Sequence, residues 1–176
     1  MSLAAATFLA EAPTRLAGLS RALAGQVTSQ DVAWTLCDFC GRELQLADVV
    51  VYLLDEGGAT LTQQAAWGPK RAAHHMLESR IRLALGVGIV GRCAQLRLPQ
   101  RTADARLDER YVIDDQPNLS ELAVPILANG ALYGVLDSEH PQADYYRMAH
   151  EHAMLAIAER GADRLRELGG FSAPGA

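Results

Sequence analysis

Three runs decide how this chain reads: Gly86-Val87-Gly88-Ile89-Val90-Gly91, then Ser120-Glu121-Leu122-Ala123-Val124-Pro125-Ile126, then Leu132-Tyr133-Gly134-Val135-Leu136-Asp137-Ser138-Glu139-His140. The glycines predict a tight turn that enters a short helix over residues 89–95. The two apolar runs predict strands over 122–127 and 131–138. They fold back on each other around Ala128-Asn129-Gly130, where asparagine and glycine accept the positive φ of a hairpin turn. Pro125 cannot donate to a strand ladder, so it predicts an edge or a bulge. Residues 103–119 form a long polar loop, and long loops in compact domains are commonly functional. The loop and the facing strand ends carry Asp104, Arg106, Asp108, Arg110, Tyr111, Glu121, Asp137 and Glu139, all able to hold something small.

Working outward, Val49-Val50-Val51-Tyr52-Leu53-Leu54 is β-branched and continuously apolar, which predicts a central strand covered on both faces. Asp55-Glu56-Gly57-Gly58 predicts a hairpin turn. In the strand that follows, Leu61, Gln63, Ala65 and Trp67 fall on one side by alternation. Residues 70–80 predict an exposed helix, 81–85 a short strand and 98–101 another. Upstream, Leu9, Ala12, Leu16, Leu19 and Leu23 are spaced 3-4-3-4 around a helix start near Pro13. Thr28 and Ser29 can cap a second helix, with Val32, Leu36, Phe39 and Cys40 as its buried stripe. Downstream, residues 143–168 predict a last helix. Its Met154, Ala158, Gly161, Leu165 and Leu168 make a second heptad seam, and Gly169-Gly170 ends it. Both seams predict a dimer interface. The order of elements is that of an α+β domain, an antiparallel sheet with its helices gathered on one face. The expected organisation is a dimerisation helix over 1–28, the domain proper over 29–168 and a disordered tail over 169–176.

The whole-chain numbers narrow the function classes. At 176 residues and 49% hydrophobic, the chain supports one globular core. A net charge of −5 gives no footprint for nucleic acid or an anionic membrane. No run approaches a membrane span and none reads as a signal peptide. Three cysteines do not make a disulfide framework, so a cytoplasmic location is expected.

Each candidate site has a structural reading beside the functional one. The glycine turn could cradle a phosphate, but no parallel βαβ unit surrounds it, and close packing of turn, helix and sheet explains it as well. Cys37-x-x-Cys40 lies within a helical pattern and reads as two buried thiols rather than a redox or zinc pair. His150-x-His152 diverges on a helix, so no metal site is expected there. Glu121, Asp137 and Glu139 share one sheet face by the two-residue repeat. Three acids together repel unless a cation, a ligand amine or an arginine such as Arg106 or Arg110 compensates. Either ligand binding or a salt-bridge network that pins the loop would account for them. Tyr52, Trp67 and Tyr111 could wall a cavity.

These motifs together, Gly86-x-Gly-Ile-Val-Gly91, Asp108-x-Arg110-Tyr111, Ser120-Glu121-x-x-Val124-Pro125 and Gly134-Val135-Leu136-Asp137, resemble a GAF domain over residues 29–168. The resemblance implies a five- or six-stranded antiparallel sheet, helices on one face and a ligand cavity on the other. It also implies dimerisation through long terminal helices, a possible output domain or signalling partner, and a regulatory role in bacterial signalling. One enzyme branch of that superfamily, the free methionine-(R)-sulfoxide reductases, shares the glycine turn and both strands, and there the matching acids hold the ligand. Its cysteines are not matched: the corresponding places hold residues near Tyr52, then Ile89, then the cysteine-free residues 114–119. Cys93, one helical turn past Ile89, is expected to point elsewhere. Reduction of a sulfoxide needs an attacking thiolate and a resolving thiol. The expectation is therefore a non-catalytic, small-molecule-sensing module acting as a homodimer, with no cofactor and no metal. Its ligand contacts are Trp67, Asp104, Arg106, Arg110, Tyr111, Glu121, Asp137 and Glu139. A diverged reductase and a purely structural dimerisation domain are the alternatives.

Overall fold

A computed structural model describes residues 3–72, 75–77, 80–107 and 118–170. The order along the chain is α1 (Leu3–Ala10), α2 (Ala12–Ala24), α3 (Ser29–Leu44), β1 (Val49–Leu54), β2 (Thr60–Trp67), β3 (Arg71–Ala72), β4 (Met76–Leu77), β5 (Arg82–Ala84), α4 (Gly88–Leu96), β6 (Gln100–Thr102), a 3-10 turn (Ala105–Leu107), β7 (Ser120–Ala128), β8 (Ala131–His140) and α5 (Met148–Glu167). Six strands form one antiparallel sheet in the order β5-β2-β1-β8-β7-β6, and β3 with β4 makes a separate small hairpin.

β1 is central and buried along its whole length, as its composition requires. Val49, Val51 and Leu53 face a core built with Phe8, Leu19, Leu36 and Met154, while Val50, Tyr52 and Leu54 face a second core built with Ile89, Val90 and Cys93. Helices α1, α2, α3 and α5 cover the first face; α4 and the segment ending in β5 cover the second. Thr28 caps α3, its hydroxyl accepting from the Asp31 amide at 3.1 Å. Pro125 lies opposite Val135 on β8, beyond the reach of β6, so its missing donor faces an open edge.

Several expectations change. Each heptad seam packs in part inside the chain, with Leu9, Ala12, Leu16 and Leu168 only partly buried. Leu19 and Leu23 of α2, and Met154, Ala158, Gly161 and Leu165 of α5, are buried in the same core. That core is continuous across residue 28, so the first helices are part of the domain's packing. The reason is mass: a six-stranded sheet face needs more cover than α3 and α5 alone provide. Residues 70–80 are not an exposed helix. Arg71 and Ala72 pair with Met76 and Leu77 as a hairpin, and Lys70 is buried. Gly68 at φ +93° stops β2 with so little room that a Cβ would stand 2.1 Å from the Ala47 carbonyl oxygen.

The simple alternation of β2 also fails. A bulge on β2 shifts its register with β1 between Val51 and Tyr52, which pair with Ala65 and Gln63 respectively. One extra residue flips the faces. Leu61 therefore packs in the second core, whereas Ala65 and Trp67 pack with the helices. Trp67 lies over Gly41 of α3, where a Cβ would come within 2.5 Å of its ring, and its indole N–H donates to the Leu46 carbonyl at 3.1 Å. Trp67 is thus a helix-face residue and not a cavity wall.

Candidate functional site

The second face of the sheet carries the acids. The ladder sets Glu121 of β7 opposite Glu139 of β8, Ala123 opposite Asp137, and Asp137 opposite Val50 of β1. Glu121, Asp137 and Glu139 therefore project to one side of adjacent strands, and they are only 5%, 3% and 4% exposed. Asp48, at the entry to β1, is buried beside them. The cation that reaches them from the described residues is Lys70, which sequence reading had placed on an exposed helix. Its ammonium lies 2.9 Å from Glu139 Oε2 and 3.3 Å from Asp48 Oδ2. The Asn118 side-chain amide donates to the same Glu139 oxygen at 3.1 Å.

Lys70 does not neutralise the cluster. Burial first, then the charges of Asp137 and Glu139, hold the Glu121 carboxyl well above the usual carboxylate range, and Lys70 offsets only part of this. The burial and the neighbouring acids thus favour the neutral form of Glu121, with its side chain hydrogen-bonded to Asp137. The arrangement favours a further positive group and disfavours an anion.

These acids border a cavity of about 30 Å³, roofed by Tyr52, Ile81, Leu83, Ile89 and Val90 and reached by Gly88 at the start of α4. That volume is about one water molecule's share of the liquid. Larger hollows lie elsewhere. One of about 200 Å³ lies on the helix face between Gln30, Leu53, Gln64 and Tyr133; another of about 460 Å³ is an open groove between Pro125, Leu127 and α5. Neither gathers buried charge, so the small cavity is the one with chemistry at its wall.

The glycines are architecture. Gly86 at φ +86° and Gly88 at φ +68° shape the turn, and the Gly86 amide donates to the Gly91 carbonyl at 2.8 Å. A Cβ on Gly91 would meet the Ala84 carbonyl oxygen at 2.5 Å. Tyr52 does wall the cavity, as expected. Asp104 and Arg106 pair with each other at 2.5 Å on the exposed loop and line no part of the cavity. Arg106 is therefore not the compensating cation. Asp108, Arg110 and Tyr111 lie outside the described residues.

The cysteines are buried thiols. Burial pushes both the Cys37 and Cys40 thiols well above the ordinary cysteine range, so both stay protonated thiols. Cys93 does not point away from Ile89. Positions four apart share a helix face, so it packs in the same core, close enough to feel the Asp137 and Glu121 charges. Burial and those two acids push its thiol well above the ordinary range. His150 is buried and His152 exposed, so the two diverge as the helical spacing requires. Among the described residues no group of three or more His, Cys, Asp or Glu side chains is placed to hold a metal, and no helix is long and apolar enough to cross a membrane.

Solved structures share this architecture. The GAF domain of phosphoenolpyruvate-protein phosphotransferase from Acinetobacter aligns with a TM-score of 0.75 at 18% identity, over 88% of this chain and 92% of that one. The corresponding GAF domain from Coxiella burnetii gives 0.74 at 16% identity, over 88% and 92%. Free methionine-R-sulfoxide reductase from Neisseria meningitidis, solved in complex with its substrate, gives 0.72 at 17% identity, over 84% of each chain. Likeness at these identities is one of fold. No curated protein sequence matches the chain. The family model described as GAF domain matches residues 26–166, most of the chain, and the protein belongs to the GAF domain family.

Proposed function

We propose that this GAF domain is a non-catalytic regulatory module of a bacterial signalling system that binds a small molecule through one ammonium group at the acid cluster. The observation that carries the reading is the buried row Glu121, Asp137 and Glu139 at the wall of one small cavity, where the neighbouring acids hold the Glu121 carboxyl above its usual range. A ligand ammonium entering it would ionise Glu121 and expel one proton, replacing a shared hydrogen bond by charge-assisted ones. At about 30 Å³ the cavity is far below the roughly 300 Å³ at which ligand pockets begin, so binding requires a side chain to move aside.

The absence of catalysis rests on the thiols. A reductase needs a thiolate and a resolving partner, whereas Cys93 is a buried thiol flanked by acids that disfavour its ionised form. Turnover of methionine-(R)-sulfoxide with a thiol reductant, lost on Cys93→Ser, would overturn this part.

The binding reading is tested by thermal shift with simple alkylammonium ions, amino acids, nucleotides and oxyanions. At ten times its Kd a ligand adds about 1.4 kcal/mol, which is roughly 3–6 °C for a chain of this size. Ammonium-bearing compounds should raise Tm, and their affinity should rise with pH as Glu121 gives up its proton. A screen in which no amine raises Tm at millimolar concentration, or in which oxyanions alone do, sinks the reading.

A further inference from the structure

We propose that the turn over residues 68–71 is a two-ended lever that ties occupancy of the acid cluster to helix α3 on the opposite face of the sheet. The proposal rests on the ammonium reading only for what would move the lever; the lever itself stands on two consecutive side chains that point opposite ways.

At one end, the Lys70 ammonium is buried between Glu139 and Asp48. At the other, the Arg71 guanidinium reaches α3, 2.5 Å from Asp38 Oδ1, and lies 5.4 Å from the Trp34 ring and 5.9 Å from the Trp67 ring. His75, in the turn just before the far strand of the small hairpin, stacks on Trp34 at 4.8 Å and completes the contact. The link between the ends is stiff. The Arg71 amide donates to the Gly68 carbonyl at 3.1 Å, Pro69 fixes its own φ, and Gly68 at φ +93° packs where a Cβ would strike the Ala47 carbonyl oxygen. Two side chains on such a turn do not move independently.

The small cavity gives the lever its use. A ligand ammonium at this wall would share Glu139 with Lys70, and a cavity of about 30 Å³ admits it only if the Lys70 ammonium shifts toward Asp48. That shift of Lys70 rotates the turn and withdraws Arg71 from between the two indoles. Asp38 then keeps Arg42 and His75, and the Trp34 ring loses the guanidinium over it while His75 stays stacked on it. A signal thus crosses the sheet at its rim without any change in the ladder of β1.

The chain has two tryptophans, and Arg71 lies over both, so intrinsic fluorescence reads the α3 end directly. Acrylamide quenching is measured on the full chain as wild type, Glu139→Gln, Lys70→Met with Glu139→Gln, and Arg71→Met. Glu139→Gln loosens the lysine end with almost no change of shape and takes one anion from a cluster of buried acids, so it folds even where the double variant does not. Arg71→Met removes the latch and sets the full effect. The lever predicts that loosening or cutting the lysine end moves quenching at least half of the way to the Arg71→Met value. Wild-type quenching in folded Glu139→Gln and in the folded double variant overturns it, as does an Arg71→Met chain that quenches like wild type. Titration of wild type with propylammonium separates the two readings. Variants that respond while no amine binds leave the lever standing and remove the ammonium site. An amine that raises Tm without moving the tryptophan signal removes the lever and leaves the site.

Discussion

Replacing Lys70 by methionine keeps most of the buried aliphatic stem and deletes the charge. The magnitude follows from two distances. At an effective dielectric of about 20, an ammonium 2.9 Å from Glu139 and 3.3 Å from Asp48 attracts them by roughly 6 and 5 kcal/mol. Most of that attraction offsets the cost of taking the ion out of water. The measurable loss is the cost of leaving buried carboxylates uncompensated, about 3–5 kcal/mol. In urea, with a slope near 3 kcal/mol per molar, the midpoint should fall by about 1–2 M at pH 7 with the slope unchanged.

The same variant carries its own control in pH. Without Lys70, Glu139 and Asp48 are buried carboxyls that have lost this ammonium, and burial penalises their charged forms. A group shifted up is without penalty below its unfolded pKa, near 4, and the penalty grows as pH rises through the folded value. The deficit of Lys70→Met should therefore shrink steadily from pH 7 to pH 4, and adding Glu139→Gln should recover part of it at pH 7. A loss below about 1 kcal/mol at pH 7 would be that of a surface pair, and it would refute the buried placement of this lysine. A larger loss that does not vary with pH would refute its electrostatic origin.

Three further outcomes test the site and its support. Glu121 is raised chiefly by burial and then by Asp137 and Glu139; its contribution is intact below its unfolded pKa and lost as pH rises through its folded one. Glu121→Gln should therefore flatten the decline of Tm that sets in as pH rises above the unfolded carboxyl value, followed by scanning calorimetry from pH 5 to 9. His150 is buried and held down to about 4 by desolvation and then by Arg147. A depressed histidine costs nothing above about pH 6.5 and destabilises as pH falls toward 4, by up to about 3 kcal/mol, so His150→Asn should remove that acid slope in urea titrations. Gly41→Ala would drive a methyl to within 2.5 Å of the Trp67 ring; the cost should be about 1–3 kcal/mol with a shift in tryptophan emission, and an unchanged midpoint would contradict the packing of α3 on β2.

What the sequence made legible was whatever depends on local periodicity. The all-apolar β1, the Asn129-Gly130 hairpin, the Thr28 cap and the glycine turn are each written in a few adjacent residues, and each is where expected. The acid row was legible for the same reason, since a two-residue repeat on two paired strands puts Glu121, Asp137 and Glu139 together. The misreadings all depend on something not local. Nothing in Thr60–Trp67 signals that one residue bulges, and that one residue moves Trp67 from the cavity face to the helices. A heptad seam shows that a helix face is apolar without showing which chain covers it, and α2 and α5 cover each other's neighbourhood in the same core. Lys70 looked like surface because a lysine in a charged run normally is. The available signal was Gly68-Pro69 just before it, a stop that turns the chain back across the rim of the sheet.

The acid cluster itself argues against a purely structural role. Stability alone would be served better by apolar residues, since a buried ion pair replaced by well-packed hydrophobic side chains is often neutral or stabilising by 1–4 kcal/mol. The surroundings here are already apolar: Val50, Tyr52, Ile89, Ala123 and Val135 share that face. A salt bridge that only pinned the rim would need one acid for Lys70, and Asp48 is within reach. Instead β7 and β8 place Glu121 directly opposite Glu139, the like-charge pairing that destabilises a ladder most, and Asp137 beside them. Glu121 then escapes the repulsion only by keeping its proton. Placing Glu121, Asp137 and Glu139 together at the wall of that small cavity sets a row of buried carboxyl oxygens where a ligand cation would find charge-assisted partners.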